Sequence, residues 1–270
     1  MNDLTRRETH FEFGANWAVF ARSIDEARIN SAEQCLRDLV GGNLAGQSFL
    51  DIGCGSGLSA LAAIRLQAAR VRAVDLDENS VATAHSLLQV HAPQADWAAE
   101  RRSVFEFDPD VDGQYDVVYS WGVLHHTGAM WRAIAKAASL VAVEGRLVLA
   151  IYQRTPSCGF WRWEKRLYSR SPRWLAAGIR GLYKSAFLGA LVLTGRNPVR
   201  YIGEYGRHRG MRWSNDVHDW LGGYPYESAS SSEIDACLSE LGFARETAII
   251  ANTRRGLLGT GCSEYVYRRL

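Results

Sequence analysis

Short apolar runs alternate with helical periodicities along most of the chain, and this alternation predicts an α/β architecture. Runs at 48–52 (SFLDI), 70–75 (RVRAVD), 97–104, 115–120 (YDVVYS) and 145–151 (GRLVLAI) have the length and apolar content of buried strands. Amphipathic stretches at 57–69, 78–90 and 128–141 read as the helices between them. Strand and helix in alternation imply parallel βαβ units with right-handed crossovers. Ahead of them, residues 24–40 form a further helical stretch that stops at Gly41-Gly42. Residues 1–23 are polar and aromatic by turns, with Phe11, Phe13, Trp17 and Phe20 irregularly spaced.

The rhythm breaks after Ile151. Residues 152–228 show no clear strand but many aromatics and helical stretches such as 160–169 and 174–193. It returns with a helix at 231–241 and strands near 243–251 and 262–268. The middle stretch therefore reads as a helical insertion after the fifth strand.

Composition changes little in this picture. Among 270 residues, 47% are hydrophobic and 22% charged, as expected of an ordinary globular chain. Cys35, Cys54, Cys158, Cys237 and Cys262 lie far apart without a CxxC pair, which argues against a zinc site or a disulfide framework. The first residues lack the apolar stretch of a secretory signal, and no apolar run reaches the roughly 18–20 residues that span a bilayer. Cytoplasmic location is the expectation.

Candidate chemistry begins at Asp51-Ile52-Gly53-Cys54-Gly55-Ser56-Gly57, where a strand turns into a helix. Glycines there let the backbone approach a ligand closely. A dinucleotide fingerprint is GxGxxG with a pyrophosphate at the helix start. Here the spacing is GxGxG, and Asp51 precedes the first glycine. A carboxylate at that place repels a pyrophosphate but suits an ammonium group. Asp75 ends the next strand, at the distance where a carboxylate accepts ribose hydroxyls. The pair suits an adenosyl amino acid, S-adenosylmethionine, better than a dinucleotide.

DIGCGSG, the Asp75 strand end and the run YDVVYSWGVLHH at 115–126 resemble motifs of class I S-adenosylmethionine-dependent methyltransferases. More narrowly they are similar to the bacterial quinone-methylase-like group that acts on small molecules. The resemblance covers 48–151 well and Gly222-Gly223-Tyr224-Pro225 less specifically. It implies a doubly wound, mostly parallel seven-stranded sheet of Rossmann-like type with a final antiparallel strand. Four segments follow: 1–47, helical and covering the cofactor site; 48–151, the cofactor-binding core; 152–228, the cap insertion; and 229–270, completing the core. The resemblance also implies roles by position. Asp51, Gly53, Gly55 and Gly57 hold the methionine part, Asp75 the ribose, Leu76 the adenine face, and Ser103 and Val104 the adenine edge. Ser120 and Trp121 flank the sulfonium. Many relatives carry an aspartate where Ser103 stands.

Methyl transfer from a sulfonium needs alignment and, for an oxygen or nitrogen nucleophile, sometimes a base. His126, with His125 second, is the candidate base, since both follow the fourth strand at the ligand edge. The competing reading makes both loop histidines that hold backbone carbonyls. Asn215-Asp216-Val217-His218-Asp219 reads as the start of a helix capped by Ser214, in preference to a substrate or metal site, and no metal is assigned. His85 and His91 read as surface residues of a helix.

Charge sharpens the view of the insertion. The chain carries +2, yet 152–212 alone carries thirteen Lys or Arg against two acidic residues, +11, leaving −9 elsewhere. Aromatics are interleaved with these cations. A lid over an anionic or aromatic small molecule, a peripheral contact with an anionic membrane, RNA binding, and a plain helical cap all fit. The preferred reading is a cap that closes the site, with Tyr205 and Tyr224 facing a small-molecule acceptor. Nucleic acid is not expected, because no separate binding module is visible. The alternatives are a membrane-associated quinol or lipid-like acceptor, then RNA methylation or a non-catalytic cofactor-binding protein.

Overall fold

The computed structural model describes residues 24–209, 213–251 and 259–270, so Phe11, Phe13, Trp17 and Phe20 lie outside it. In chain order the core elements are α1 (Glu26–Val40), β1 (Ser48–Ile52), α2 (Leu58–Arg65), β2 (Arg70–Asp75), α3 (Glu78–His91), β3 (Trp97–Arg101), α4 (Pro109–Asp112), β4 (Tyr115–Trp121), α5 (Met130–Ser139) and β5 (Val141–Tyr152). The insertion holds α6 (Cys158–Arg170), α7 (Arg173–Leu193), α8 (Pro198–Arg209) and α9 (Trp213–Gly222). The chain closes with α10 (Ser231–Glu240), β6 (Phe243–Ile249) and β7 (Cys262–Arg269).

The strands form one seven-stranded sheet in the order β3-β2-β1-β4-β5-β7-β6. All pairs from β3 to β5 are parallel, and β7 runs antiparallel between β5 and β6. Alternation along each strand builds two apolar layers. Phe49, Val71, Ala73, Val117 and Val148 face α1, α2 and α3, whereas Leu50, Ile52, Val74, Val118 and Leu149 face α5 and α10. The sheet is therefore doubly wound, with its switch point between β1 and β4.

Local signals set the element ends. Asp25 caps α1 by accepting from the Arg28 amide, and Gly41 ends it at φ 73°. Asp77 caps α3 by accepting from the Asn79 and Ser80 amides. The third strand stops at Arg101, short of the expected 104. Ser103 and Glu106 form a capping box that opens a 3₁₀ turn at Val104–Glu106. The described part of the segment expected to cover the cofactor site is α1, which packs flat in a helical layer. Its Ile29, Leu36 and Val40 are buried in the same core as α2.

Helices α6 to α9 share a small core of their own around Trp161, Tyr168, Trp213, Val217, Leu221 and Tyr226. Helix α7 corrects one expectation: its 21 residues are long and apolar enough, by length and composition, to cross a bilayer. Arg180 and Lys184 break the run in the linear sequence, but both lie on the side of the helix turned toward the cap. Helix α9 begins at Trp213, so Ser214 lies in its first turn instead of capping it.

The crossing of α2 and α3 depends on Gly57. Its φ is 80°, and a Cβ there would lie 2.8 Å from Ala84 Cα. Gly57→Ala should therefore lower the unfolding free energy by about 2–4 kcal/mol, from overpacking plus left-handed strain. Gly46 has φ 76° but open space around it. In chemical denaturation Gly46→Ala should lose only the strain, about 1–2 kcal/mol.

Candidate active site

The carboxyl ends of β1, β2 and β4 meet at the glycine turn. Gly53, Gly55 and Gly57 all have positive φ, at 78°, 52° and 80°. The Gly53 and Cys54 amides donate to the Val74 carbonyl at 2.8 and 3.0 Å, which lays the turn across the end of β2. A Cβ on Gly53 would lie 2.4 Å from a Val123 methyl. The loop after β4 thus packs directly on the turn, and only glycine leaves room for it.

Two carboxyl groups converge here. Asp75 Oδ2 accepts from the Gly55 amide at 3.0 Å, and Oδ1 accepts from the Asp77 amide at 2.9 Å. These bonds orient the carboxyl group while each oxygen keeps a lone pair for another donor. Burial raises its pKa, and the same two amides oppose the rise. Asp51 is only 2% exposed, and its Oδ2 has no hydrogen-bond partner. Burial first, then the negative charge of Asp75, push its pKa up to about 8, with only the Ala60 amide opposing. A buried carboxyl with an orphaned oxygen beside a second carboxyl is a site for a cationic donor.

The neighbouring hydroxyls are bonded within the protein. Ser120 is fully buried and donates to the Ile52 carbonyl at 3.0 Å, so its hydroxyl ties β4 to β1. Ser103 uses its hydroxyl as the cap of the 3₁₀ turn, with Val104 buried behind it. Leu76 is partly buried, and Trp121 is 41% exposed at the end of β4.

The two histidines are not equivalent. His125 is fully buried, neither ring nitrogen has a hydrogen-bond partner, and its ring lies 3.9 Å from that of Tyr152. Burial, then the charges of His126 and Lys165, hold its pKa well below the ordinary range. His126 Nδ1 lies 2.7 Å from the Pro225 carbonyl. A carbonyl only accepts, so Nδ1 carries the proton, and in the neutral ring Nε2 is the acceptor. Gly223 makes this possible, because a Cβ there would lie 2.7 Å from His126 Cε1.

These bonds join core and cap, a connection absent from the sequence reading. The Glu227 amide donates to the His125 carbonyl at 3.0 Å, and Glu227 Oε2 accepts from the Met130 amide at the start of α5. Tyr152, at the end of β5, packs on both histidines and on Trp220 and Tyr226. Lys165 is fully buried beside them, with Nζ 3.6 Å over the Trp220 ring and donating to the Trp220 carbonyl. Burial lowers its pKa, and the neighbouring Glu164, buried with both oxygens unpartnered, has its pKa raised for the same reason. The Gly222–Pro225 motif was the one visible signal for this junction.

The two tyrosines separate. Tyr224 follows α9 next to Pro225, at the junction, and is partly exposed. Tyr205, in contrast to its expected acceptor-facing role, has its hydroxyl donated to Asp216 and its ring packed on Tyr201 within the cap. His218 is likewise engaged, with Nδ1 2.7 Å from the Tyr168 hydroxyl. No group of three or more His, Cys, Asp or Glu among the described residues is placed to hold a metal. His85 and His91 are exposed on α3.

With this geometry in view, residues 49–145 match the model of a family described as "Methyltransferase domain". This core is a class I S-adenosylmethionine-dependent methyltransferase domain. The 27-O-demethylrifamycin SV methyltransferase of Amycolatopsis mediterranei is 32% identical over 174 residues, covering 56% of this chain and 62% of that protein. The ribosomal protein L11 methyltransferase of Aeromonas salmonicida is 33% identical over 116 residues, covering 42% of this chain and 38% of that one. The chain thus spans less than two thirds of the length of these curated relatives. Magnesium protoporphyrin IX methyltransferase from Synechocystis PCC 6803, solved with bound SAH, superposes with a TM-score of 0.54 at 19% identity, covering 92% of this chain and 86% of that one. That likeness extends the shared methyltransferase fold beyond the matched domain.

Two outcomes test this site. With the Asp51 pKa raised in the folded state, unfolding releases its proton, so the group destabilises the ligand-free protein increasingly from about pH 4 up to about pH 8. Asp51→Asn should accordingly stabilise it by about 1–3 kcal/mol at pH 8 and by little near pH 4, as read by denaturation at both values. His126→Ala should raise hydrogen exchange across residues 222–229. His126→Asn, whose amide nitrogen falls near the Nδ1 position, should restore much of the protection.

Proposed function

We propose that this chain transfers a methyl group from S-adenosylmethionine to an oxygen or nitrogen of a small-molecule acceptor. The observation that carries the reading is the Asp51–Asp75 pair. The charge that acts most on Asp51 is another carboxylate, so the site favours a ligand bearing a cation and hydroxyl donors over a pyrophosphate. The residues present fit such a cofactor. Asp51 Oδ2 lacks a donor, Asp75 is held with lone pairs to offer, and the glycine turn leaves backbone rather than side chains at its edge.

In this reading Asp51 and the turn from Gly53 to Gly57 hold the methionine part and Asp75 holds the ribose. Leu76 and Val104 supply apolar contact for the adenine. The cofactor, when bound, supplies an electrophilic methyl on a positively charged sulfur. The protein's share is alignment and, for a protonated acceptor, removal of a proton. His126 is the proposed base, because its bond to Pro225 leaves Nε2 as the proton acceptor. His125, its ring fully buried against Tyr152, is assigned a packing role.

A small acceptor is favoured by the cap, which is fastened to the core at the His125–His126 turn through Pro225 and Glu227. The similarity to the 27-O-demethylrifamycin SV methyltransferase points the same way, and Tyr224 is the cap residue proposed to face the acceptor.

Calorimetric titration with S-adenosylmethionine, S-adenosylhomocysteine and NAD should show binding of the first two only. Asp75→Ala should weaken S-adenosylhomocysteine by about tenfold or more, since charge-assisted hydrogen bonds are lost. Folded protein that binds neither adenosyl ligand, or an Asp75→Ala variant of unchanged affinity, would overturn the assignment.

A further inference from the structure

We propose that the outer face of α7, with the adjoining exposed residues of α6, rests on an anionic lipid bilayer. Helix α7 has two unlike sides. Its inner side packs Ile179, Tyr183, Phe187 and Leu188 into the cap core, and Leu191 is buried. Its two mid-helix cations are turned the same way. Arg180 donates to the Tyr168 hydroxyl at 3.1 Å, and Lys184 Nζ lies 5.6 Å from the Trp213 ring centre.

The outer side carries no charge between Arg173 and the end of the helix. Trp174 and Leu182 are each 75% exposed there, and Leu193 is 89% exposed, with glycine, alanine and serine between them. At 1.5 Å per residue the face is roughly 30 Å long. Helix α6 adds exposed Phe160, Trp163 and Leu167, spaced for one side of a helix. Such a contiguous apolar surface on a soluble domain marks an interaction site.

Charge identifies the occupant. Exposed arginines bracket the uncharged face, with Arg170 and Arg173 before it and Arg196 and Arg200 after it, while Arg166 lies on α6. The only acidic residues in 152–212 are Glu164, which is buried, and Glu204. A second copy of the chain would bring the same cations against these, and RNA would leave the apolar centre unmatched. An anionic bilayer matches both parts, with headgroups for the arginines and acyl chains for the tryptophan and leucines. The helix lies in the interface plane instead of spanning it, because crossing would tear Arg180, Lys184 and the cap core away from their partners. The inference stands apart from the methyl-transfer reading, since it concerns the opposite side of the cap helix.

Sedimentation of the full chain with vesicles tests it. Vesicles of phosphatidylcholine mixed with phosphatidylglycerol should bind at least about tenfold more protein than phosphatidylcholine alone, and added salt should weaken the binding. The double variant Leu182→Glu, Val192→Glu replaces exposed residues, so its circular dichroism and melting should stay as in the parent, while vesicle binding falls at least about tenfold. Unchanged binding by a folded variant, or no binding by the parent, would sink the proposal. A parent that instead forms a dimer in velocity sedimentation, lost in the variant and indifferent to vesicles, would give the face to a second copy.

Discussion

The site is organised around a carboxyl group placed where a carboxyl group is least comfortable. Asp51 is the last residue but one of β1, with one oxygen unpartnered and Asp75 as its strongest electrostatic neighbour. Only the Ala60 amide offsets the desolvation of that carboxyl, a penalty that an apolar residue would not incur. The surroundings make it coherent. The glycine turn folds back onto the Val74 carbonyl, the Val123 loop closes on Gly53, and α2 starts at Gly57 against α3. Three elements are thus drawn to one point around a buried carboxyl oxygen that has no hydrogen-bond partner. Strain and unmet polarity of this kind collect at functional sites because stability is conceded there for binding.

Most of the fold was legible because its determinants are local. Strand ends, the Asp77 and Ser230 caps and the GxGxG turn are signals within a few residues of one another. The approach of Asp75 to the turn follows from one βαβ unit, which topology makes nearly automatic. What escaped involved distant partners. His126 and Pro225 lie 99 positions apart, and Ser120 and Ile52 lie 68 apart. A serine that ends a strand reads the same whether its hydroxyl faces a ligand or a backbone carbonyl. Tyr205 escaped for a related reason, because an aromatic in an insertion gives no sign of which layer it joins. Helix α7 was hidden by its own cations, whose inward direction only the packed cap reveals.

The insertion is best understood through its two boundaries. On the core side, Tyr152, Trp220 and Tyr226 surround Lys165, and the strand-like stretch through Ala229 bonds to Tyr152 and Arg154. Burying a lysine among aromatic rings is costly unless its ammonium finds a partner, and the Trp220 carbonyl supplies one. That contact spans α6 and α9, so the cap is braced across its own helices at the place where it meets the core. Among the described residues the opposite boundary is apolar, uncharged and rimmed by arginines.

Those boundaries also bear on which histidine is suited to move a proton. Burial first, then the charges of His126 and Lys165, hold the His125 pKa well below the ordinary range. That ring is fully buried and lies against Tyr152. His126 differs because the cap itself fixes its tautomer, through a carbonyl that belongs to a proline and therefore to a turn with little freedom. The proposed base, His126, takes its orientation from the returning edge of the cap. The proposed chemistry and the seating of the insertion are in this way joined at the Pro225 carbonyl, a link that a histidine held by the core alone would lack.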